Sequence, residues 1–198
     1  MKKLVLECLD FKPYSVVLPA IICFLLIVPC VLYLPQHFGY ENGLLENIQM
    51  VILLFAFIIS LKAKTNKKFF IFVALIITIL MLREVNCGRT IFFPIPGEEN
   101  AFYSWKEIKY GYLAHPLYGL YMLVVAFYFI KNKLYITLWK LLTKIKIPVY
   151  NIIFLGISIF LSLYADKHTH NFVFEEMAEL LMYISLADRK STRLNSSH

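Results

Sequence analysis

Six long apolar runs occupy most of this 198-residue chain, and they constrain its fold more than any other feature. A helix needs roughly 20 mostly apolar residues to cross a bilayer. The predicted spans are Ser15–Leu34, Leu44–Lys62, Phe69–Cys87, Tyr112–Ile130, Tyr150–Tyr164 and Phe172–Ala187. Hydrophobic residues make up 60% of the chain and charged residues 17%, whereas soluble domains average about 45–50% and about 25%. The sequence therefore predicts an all-α, polytopic membrane protein and excludes a soluble domain, a disordered chain and a disulfide-rich module.

The last eleven residues, 188–198, differ in character from the run before them. They are polar, rich in serine, arginine and asparagine, and they resemble the translation of a sequencing adapter. Such scars are set aside before the fold is considered. We expect residues 1–187 to form a single transmembrane helical domain that is truncated near Ala187, and residues 188–198 to be an artefactual tail.

The lysines predict the orientation of the spans. Twelve of them fall in the N-terminal segment, the second loop and the fourth loop: Lys2, Lys3, Lys12, Lys62, Lys64, Lys67, Lys68, Lys131, Lys133, Lys140, Lys144 and Lys146. The opposite side carries only Arg83, Arg89, Lys106, Lys109 and Lys167. The positive-inside rule then places both termini in the cytoplasm. The net charge of +7 indicates contact with the lipid bilayer, and no nucleic-acid partner is expected because no soluble basic face is predicted.

The fourth loop, residues 131–147, has a pattern of its own. Leucines and Trp139 alternate with Lys133, Lys140 and Lys144. One interpretation is a short helix that lies in the cytoplasmic interface and binds anionic lipid. The alternative is a plain extension of the neighbouring helix.

Ionisable residues collect at the predicted outer ends of the spans. A charge inside a span costs about 2.5–3.5 kcal/mol on insertion scales, so each is a functional hypothesis. In the sixth span Glu179 follows Glu175 by four residues and Glu176 by three, which places these acids on one helix face. Burial and like charges favour the neutral form of a carboxyl, which can then act as an acid or base. Candidate catalytic residues are Glu176, Glu179 and Glu84, and the alternative is solvated acids at a helix N-terminus.

The segment from Arg83 to Arg89 holds the only arginines outside the tail. A guanidinium binds a carboxylate or a phosphate through a planar fork that lysine lacks, and Gly88 suits a helix end. Arg83, Arg89 and Glu46 are therefore predicted to bind a substrate through a phosphate or a developing charge. The alternative is structural ion pairing between helices.

Three histidines are candidate metal ligands. His168 and His170 flank one residue, and His115 opens the fourth span. With the glutamates they could coordinate a divalent metal, although no HExxH signature is present. The cofactor is otherwise unknown, and the alternative for each histidine is an interfacial side chain.

The combined pattern has a counterpart among known proteins. Glu46 in the second span, Arg83-Glu84 followed by Gly88-Arg89, and Glu175-Glu176-x-x-Glu179 resemble a group of small bacterial multi-pass membrane proteins. Members of that group carry a Glu-Glu-Ile-Ser-Trp-Gly-Gln type motif at the corresponding helix end. In this chain Arg83 replaces the first acid and Cys87 replaces the tryptophan. The resemblance implies a bacterial inner-membrane protein and no particular activity.

Three functions stay open at this point. The first is a structural protein whose Arg/Glu/His cluster stabilises the bundle or binds a protein subunit. The second is an intramembrane enzyme acting on a lipid or lipid-linked substrate at the outer leaflet. The third is a proton-coupled transporter, because buried acids are common in proton relays.

Overall fold

The computed structural model describes residues 9–10, 17–144, 147–169 and 171–186. The α-helices within these ranges are α1 (Val17–Tyr33), α2 (Leu44–Leu61), α3 (Lys67–Glu84), α4 (Arg89–Phe92), α5 (Ala114–Lys131), α6 (Leu134–Lys144), α7 (Val149–His168) and α8 (Phe172–Leu186). Short 3-10 turns occupy Gln36–Gly39, Asn86–Gly88 and Gly111–Leu113. Two short strands, β1 (Leu9–Asp10) and β2 (Ile147–Pro148), pair in parallel with Leu9 opposite Ile147.

The predicted all-α class is confirmed, since each of the six apolar runs contains a long helix. Among the described residues, three helical segments are long and apolar enough to cross a membrane: Gln36–Leu61, Gly111–Lys131 and Val149–His168. The pair Lys67–Glu84 and Asn86–Phe92, bent by 58° at its break, adds a fourth only if its two halves count as one span. Val17–Tyr33 is apolar but shorter. This composition is that of a membrane-embedded helical protein.

The chain divides into two compact units, the first formed by Met1–Gly39 and Tyr135–His198. Its central element is α8, which packs on α1, α7 and the Gln36–Gly39 turn. Val173, Ala178 and Leu181 of α8 are fully buried. The turn approaches so closely at Gly39 that an added Cβ would lie 2.5 Å from the Phe172 carbonyl carbon. Backbone contact of this kind requires a residue without a side chain.

The second unit is Tyr40–Leu134, in which α2 packs on α3 and α3 packs on α5. The α3–α5 contact combines apolar and polar groups. The Phe72 and Phe129 rings lie 5.0 Å apart, and the Tyr121 hydroxyl donates to the Leu75 carbonyl at 3.3 Å. Tyrosine suits this place because its ring is apolar while its hydroxyl needs a partner when buried.

Helix α3 ends abruptly at the segment that contains the two arginines. Asn86, Cys87 and Gly88 all have positive φ, of 43°, 52° and 89°, and left-handed residues stop an α-helix. The third predicted span therefore ends at Glu84 rather than Cys87, and the chain restarts as α4 at Arg89. Gly88 lies within this break, as the left-handed residue directly before α4.

Candidate functional site

A polar network joins the turn before α2 to the broken end of α3. Its members, all in the second unit, are Glu41, Asn42, Glu46, Asn86, Arg89, Thr90 and Asn100. Asn42 lies at its centre: its backbone N–H donates to the Glu46 carboxylate, and its side-chain amide donates to the Thr90 carbonyl. The Glu41 N–H donates to Oδ1 of Asn100 at 3.0 Å. One turn thus joins three separate stretches of the chain.

Asn42 can make these bonds because its backbone is left-handed, with φ of 62°. Asparagine adopts this conformation more readily than other side chains and also bonds nearby backbone groups. Glu46 sits in the first turn of α2 and is only 4% exposed. A carboxylate there is favoured by the helix dipole and here also caps the preceding turn. The structure places the predicted binding residue Glu46 in this network.

Arg89 extends the network from the other side of the helix break. Its Nη2 lies 2.8 Å from the Asn86 side-chain oxygen, with the amide oriented to accept, and 3.9 Å from the Glu41 carboxylate. Amide orientation follows from the hydrogen-bond network. The Arg89 side chain is 22% exposed, so it both binds the turn and reaches the surface.

Arg83 and Glu84 form an ion pair with each other. The Arg83 Nη2 lies 2.9 Å from the Glu84 carboxylate, and Nε donates to the same oxygen at 3.1 Å. Their side chains differ in exposure, at 48% for Arg83 and 5% for Glu84. The guanidinium thus supplies the buried carboxylate with a charge-assisted hydrogen bond. The candidate catalytic residue Glu84 is therefore bonded to the candidate binding residue next to it.

The other candidate catalytic acids lie in the first unit, on α8. Glu179 is 8% exposed, and its Oε1 accepts a hydrogen bond from the Ser162 hydroxyl at 3.5 Å. Glu176, one turn earlier, is half-buried. The predicted shared face of the helix therefore points partly into the first unit, where α7 contributes the serine.

The candidate metal ligands contact aromatic rings. His115 lies edge-on to Trp105 at 6.0 Å between centroids, and His168 lies 5.0 Å from Tyr164. Both side chains are exposed, and His170 lies outside the described residues. Among the residues that the structure describes, no group of three mutually close ligand atoms includes a histidine. The metal site stays a prediction.

Several buried polar side chains were not indicated by the sequence pattern. Thr90 is 1% exposed and its hydroxyl has no hydrogen-bond partner among the described residues. Asn151, near the start of α7, is buried, and neither atom of its side-chain amide has a hydrogen-bond partner among the described residues. The Asn42-Gly43 dipeptide was a readable signal, since such pairs mark turns. A lone threonine or asparagine inside an apolar run carries no comparable signal.

The loop between α4 and α5 contains a second structured turn. The Ser104 N–H donates to the Glu107 carboxylate at 2.7 Å, a bond that the glutamate of a capping box makes at a helix start and that here closes a turn. That hydrogen bond favours the charged form, so the pKa of Glu107 lies below its ordinary value. The Ser-x-x-Glu spacing is visible in the sequence.

Comparison with known proteins adds no identity, because no protein-family model, curated protein or solved structure matches the chain.

Proposed function

We propose that this chain is a structural, partner-binding protein of a bacterial inner membrane. Six helices cross the bilayer, both termini lie in the cytoplasm, and the Arg/Glu cluster at the outer face holds the bundle together. The observation that carries the proposal is that the candidate binding residues already bind neighbours in their own unit. Arg89 bonds Asn86, Arg83 bonds Glu84, and Glu46 accepts from Asn42. Residues bonded in this way stabilise a fold before any ligand arrives.

The proposal of six spans can be compared with the lengths of the helices. At about 1.5 Å per residue, the segments Gly111–Lys131 and Val149–His168, of 21 and 20 residues, match a hydrocarbon core of about 30 Å. Helices α1 and α8, with 17 and 15 described residues, are shorter. The burial of α8 against α1 and α7 supports its place inside the bundle, where protein rather than lipid covers most of its length.

The Arg/Glu cluster also has an exposed side chain that a partner protein could bind. Arg83 is about half exposed, and arginine is enriched at protein interfaces because its planar fork binds carboxylates and its stem packs on apolar groups. A partner subunit with an acidic group at the membrane surface would fit this side chain. The resemblance to small bacterial multi-pass proteins supports the cellular setting of this proposal.

The stabilising role is tested by replacing Arg89. The Arg89→Gln variant should lose about 1–2 kcal/mol of unfolding free energy, since a charge-assisted hydrogen bond is removed. Arg89→Lys should fall between this variant and the wild type, because lysine keeps the charge and lacks the fork. Thermal unfolding of the purified protein in one detergent gives the comparison.

Lys106→Gln is the matched control, since it removes the same charge from an exposed residue of the same unit. It should unfold like the wild type. An Arg89→Gln variant as stable as the control would contradict the structural role of the cluster.

A second candidate function rests on Glu179. Its carboxyl is secluded on α8 beside the Ser162 hydroxyl, and a buried carboxyl can serve as an acid or base. This favours an intramembrane enzyme acting on a lipid or lipid-linked substrate. Lipid extracts of cells that express the wild type, Glu179→Gln or the exposed control Glu98→Gln distinguish the two functions. A lipid species altered by the wild type and the control, but not by Glu179→Gln, supports the enzyme; identical profiles contradict it.

A further inference from the structure

Helix α6 (Leu134–Lys144) is a separate helix and not an extension of α5. The Asn132 backbone N–H and side-chain amide both bond the Tyr128 carbonyl, at 3.1 and 3.0 Å, which closes the last turn of α5. Lys133 then adopts a left-handed conformation, with φ of 51°. A left-handed non-glycine residue breaks a helix. The fourth loop therefore folds as an independent eleven-residue helix.

The residues of α6 divide into two faces at 100° per residue. Tyr135, Leu138 and Trp139 lie on one face, while Thr137, Lys140 and Lys144 lie on the opposite one. Leu134 is buried at the start of the helix, but Trp139 is 69% and Tyr135 50% exposed. The start of the apolar face is thus covered by protein, whereas the two aromatic side chains are at least half accessible. Tryptophan and tyrosine are the residues that favour the membrane–water interface.

The charges of this stretch of the sequence all have one sign. Residues 131–147 contain five lysines, Lys131, Lys133, Lys140, Lys144 and Lys146, and no acidic residue lies between Glu107 and Asp166. A helix with an aromatic apolar face and lysines on the other face lies flat in the interface. Each lysine near a surface of anionic lipid favours binding by about 1 kcal/mol.

We propose that α6 is an interfacial helix that selects anionic phospholipids, with Trp139 and Tyr135 inserted at the level of the head groups and Lys140 and Lys144 bound to their phosphates. The occupant is a lipid surface rather than a protein because a segment with five lysines and no acidic residue complements anionic head groups. This surface is not used by the proposed function. It depends only on the chain being embedded in a membrane.

Trp139 reports directly on this site. The chain has two tryptophans, so a Trp105→Phe variant leaves Trp139 as the only one. This variant is placed in bilayers of phosphatidylglycerol and phosphatidylcholine in which one lipid at a time carries bromine, a quencher of short range. Trp139 should be quenched about fivefold more by brominated phosphatidylglycerol. High salt should reduce that preference because it screens the lysines.

Two comparisons isolate the lysines of α6. Adding Lys140→Gln and Lys144→Gln should abolish most of the preference, while Lys62→Gln with Lys64→Gln, an equal loss of charge in another loop, should leave it unchanged. In a Trp139→Phe variant, Trp105 should show no preference. Equal quenching by both lipids would overturn the lipid selection. Quenching by aqueous iodide, or shielding from iodide and both brominated lipids, would place Trp139 in water or against protein and overturn the proposal.

Discussion

At the residue scale, asparagines mark the turns of this chain. Asn42, Asn66, Asn86 and Asn100 all have positive φ, where asparagine is tolerated because its short amide bonds nearby backbone. Asn42 and Asn100 also connect separate stretches of the second unit through their side chains. In an apolar chain these few amides fix where the helices meet.

Asn42 should therefore be sensitive to substitution in two distinguishable ways. Asn42→Gly keeps the left-handed backbone but removes the bond to Thr90, and it should cost about 1 kcal/mol of unfolding free energy. Asn42→Ala also strains the backbone, which should cost about 1–2 kcal/mol more. Thermal unfolding of both variants in detergent gives the order. An alanine variant as stable as the glycine variant would contradict the left-handed turn.

Glu107 should titrate below its ordinary pKa. The Ser104 N–H stabilises its carboxylate in the folded state, so its folded pKa is lower than its unfolded value of about 4.5. The bond stabilises the turn fully above the unfolded pKa and is lost as the pH falls through the folded pKa. The amide resonance of ¹⁵N-labelled Ser104 should follow this titration and lose it in Glu107→Gln. A midpoint at or above the unfolded pKa would contradict the hydrogen bond.

At the element scale, α8 is the helix around which the first unit is built. It contacts two other helices and the Gln36–Gly39 turn. The contact with the turn is backbone against backbone at Gly39, where an added Cβ would lie 2.5 Å from both Phe172 C and Val173 N. No side-chain movement relieves a clash with main-chain atoms, so the turn or the helix would have to shift.

Gly39→Ala should consequently destabilise the protein by about 2 kcal/mol or more, in the range of overpacked cores. Gly156→Ala on α7 is the matched control, because nothing lies within 4 Å of its added Cβ. Alanine there should be neutral or stabilise by up to about 1 kcal/mol through helix propensity. Equal stability of the two variants, measured by thermal unfolding, would show that the turn and α8 are not in this contact.

The elements were more predictable than the site. Apolar runs of membrane length specify helices because backbone groups in lipid must bond within their own segment, and every predicted run contains one. Gly88 indicated a helix end, although the helix stops at Glu84, before the predicted Cys87. The partners of individual side chains could not be predicted in this way. Arg89 contacts Asn86 and Glu41, which are three and forty-eight positions away in the sequence. Such pairings depend on how helices pack, and the periodicity of a single helix does not encode them.

At the scale of the whole molecule, the distribution of charge separates two kinds of surface. Arginines and acids form bonded pairs near the end of α3, whereas the lysines of residues 131–147 stand in a stretch without acids. In the proposed topology, which follows the positive-inside rule, the lysine-rich stretch lies in the cytoplasm and the arginine-containing break lies outside. The proposed function requires these two surfaces to lie on opposite sides of the membrane.

Thiol labelling in intact cells tests this arrangement most directly. One variant keeps only Cys87, in the break beside Arg89, and its match keeps only Cys8, near the N-terminus; serine replaces the other three cysteines in each. An impermeant maleimide should label the Cys87 variant in intact cells and the Cys8 variant only after permeabilisation. Labelling of Cys8 but not Cys87 in intact cells would contradict the account, because the Arg/Glu cluster would then face the cytoplasm.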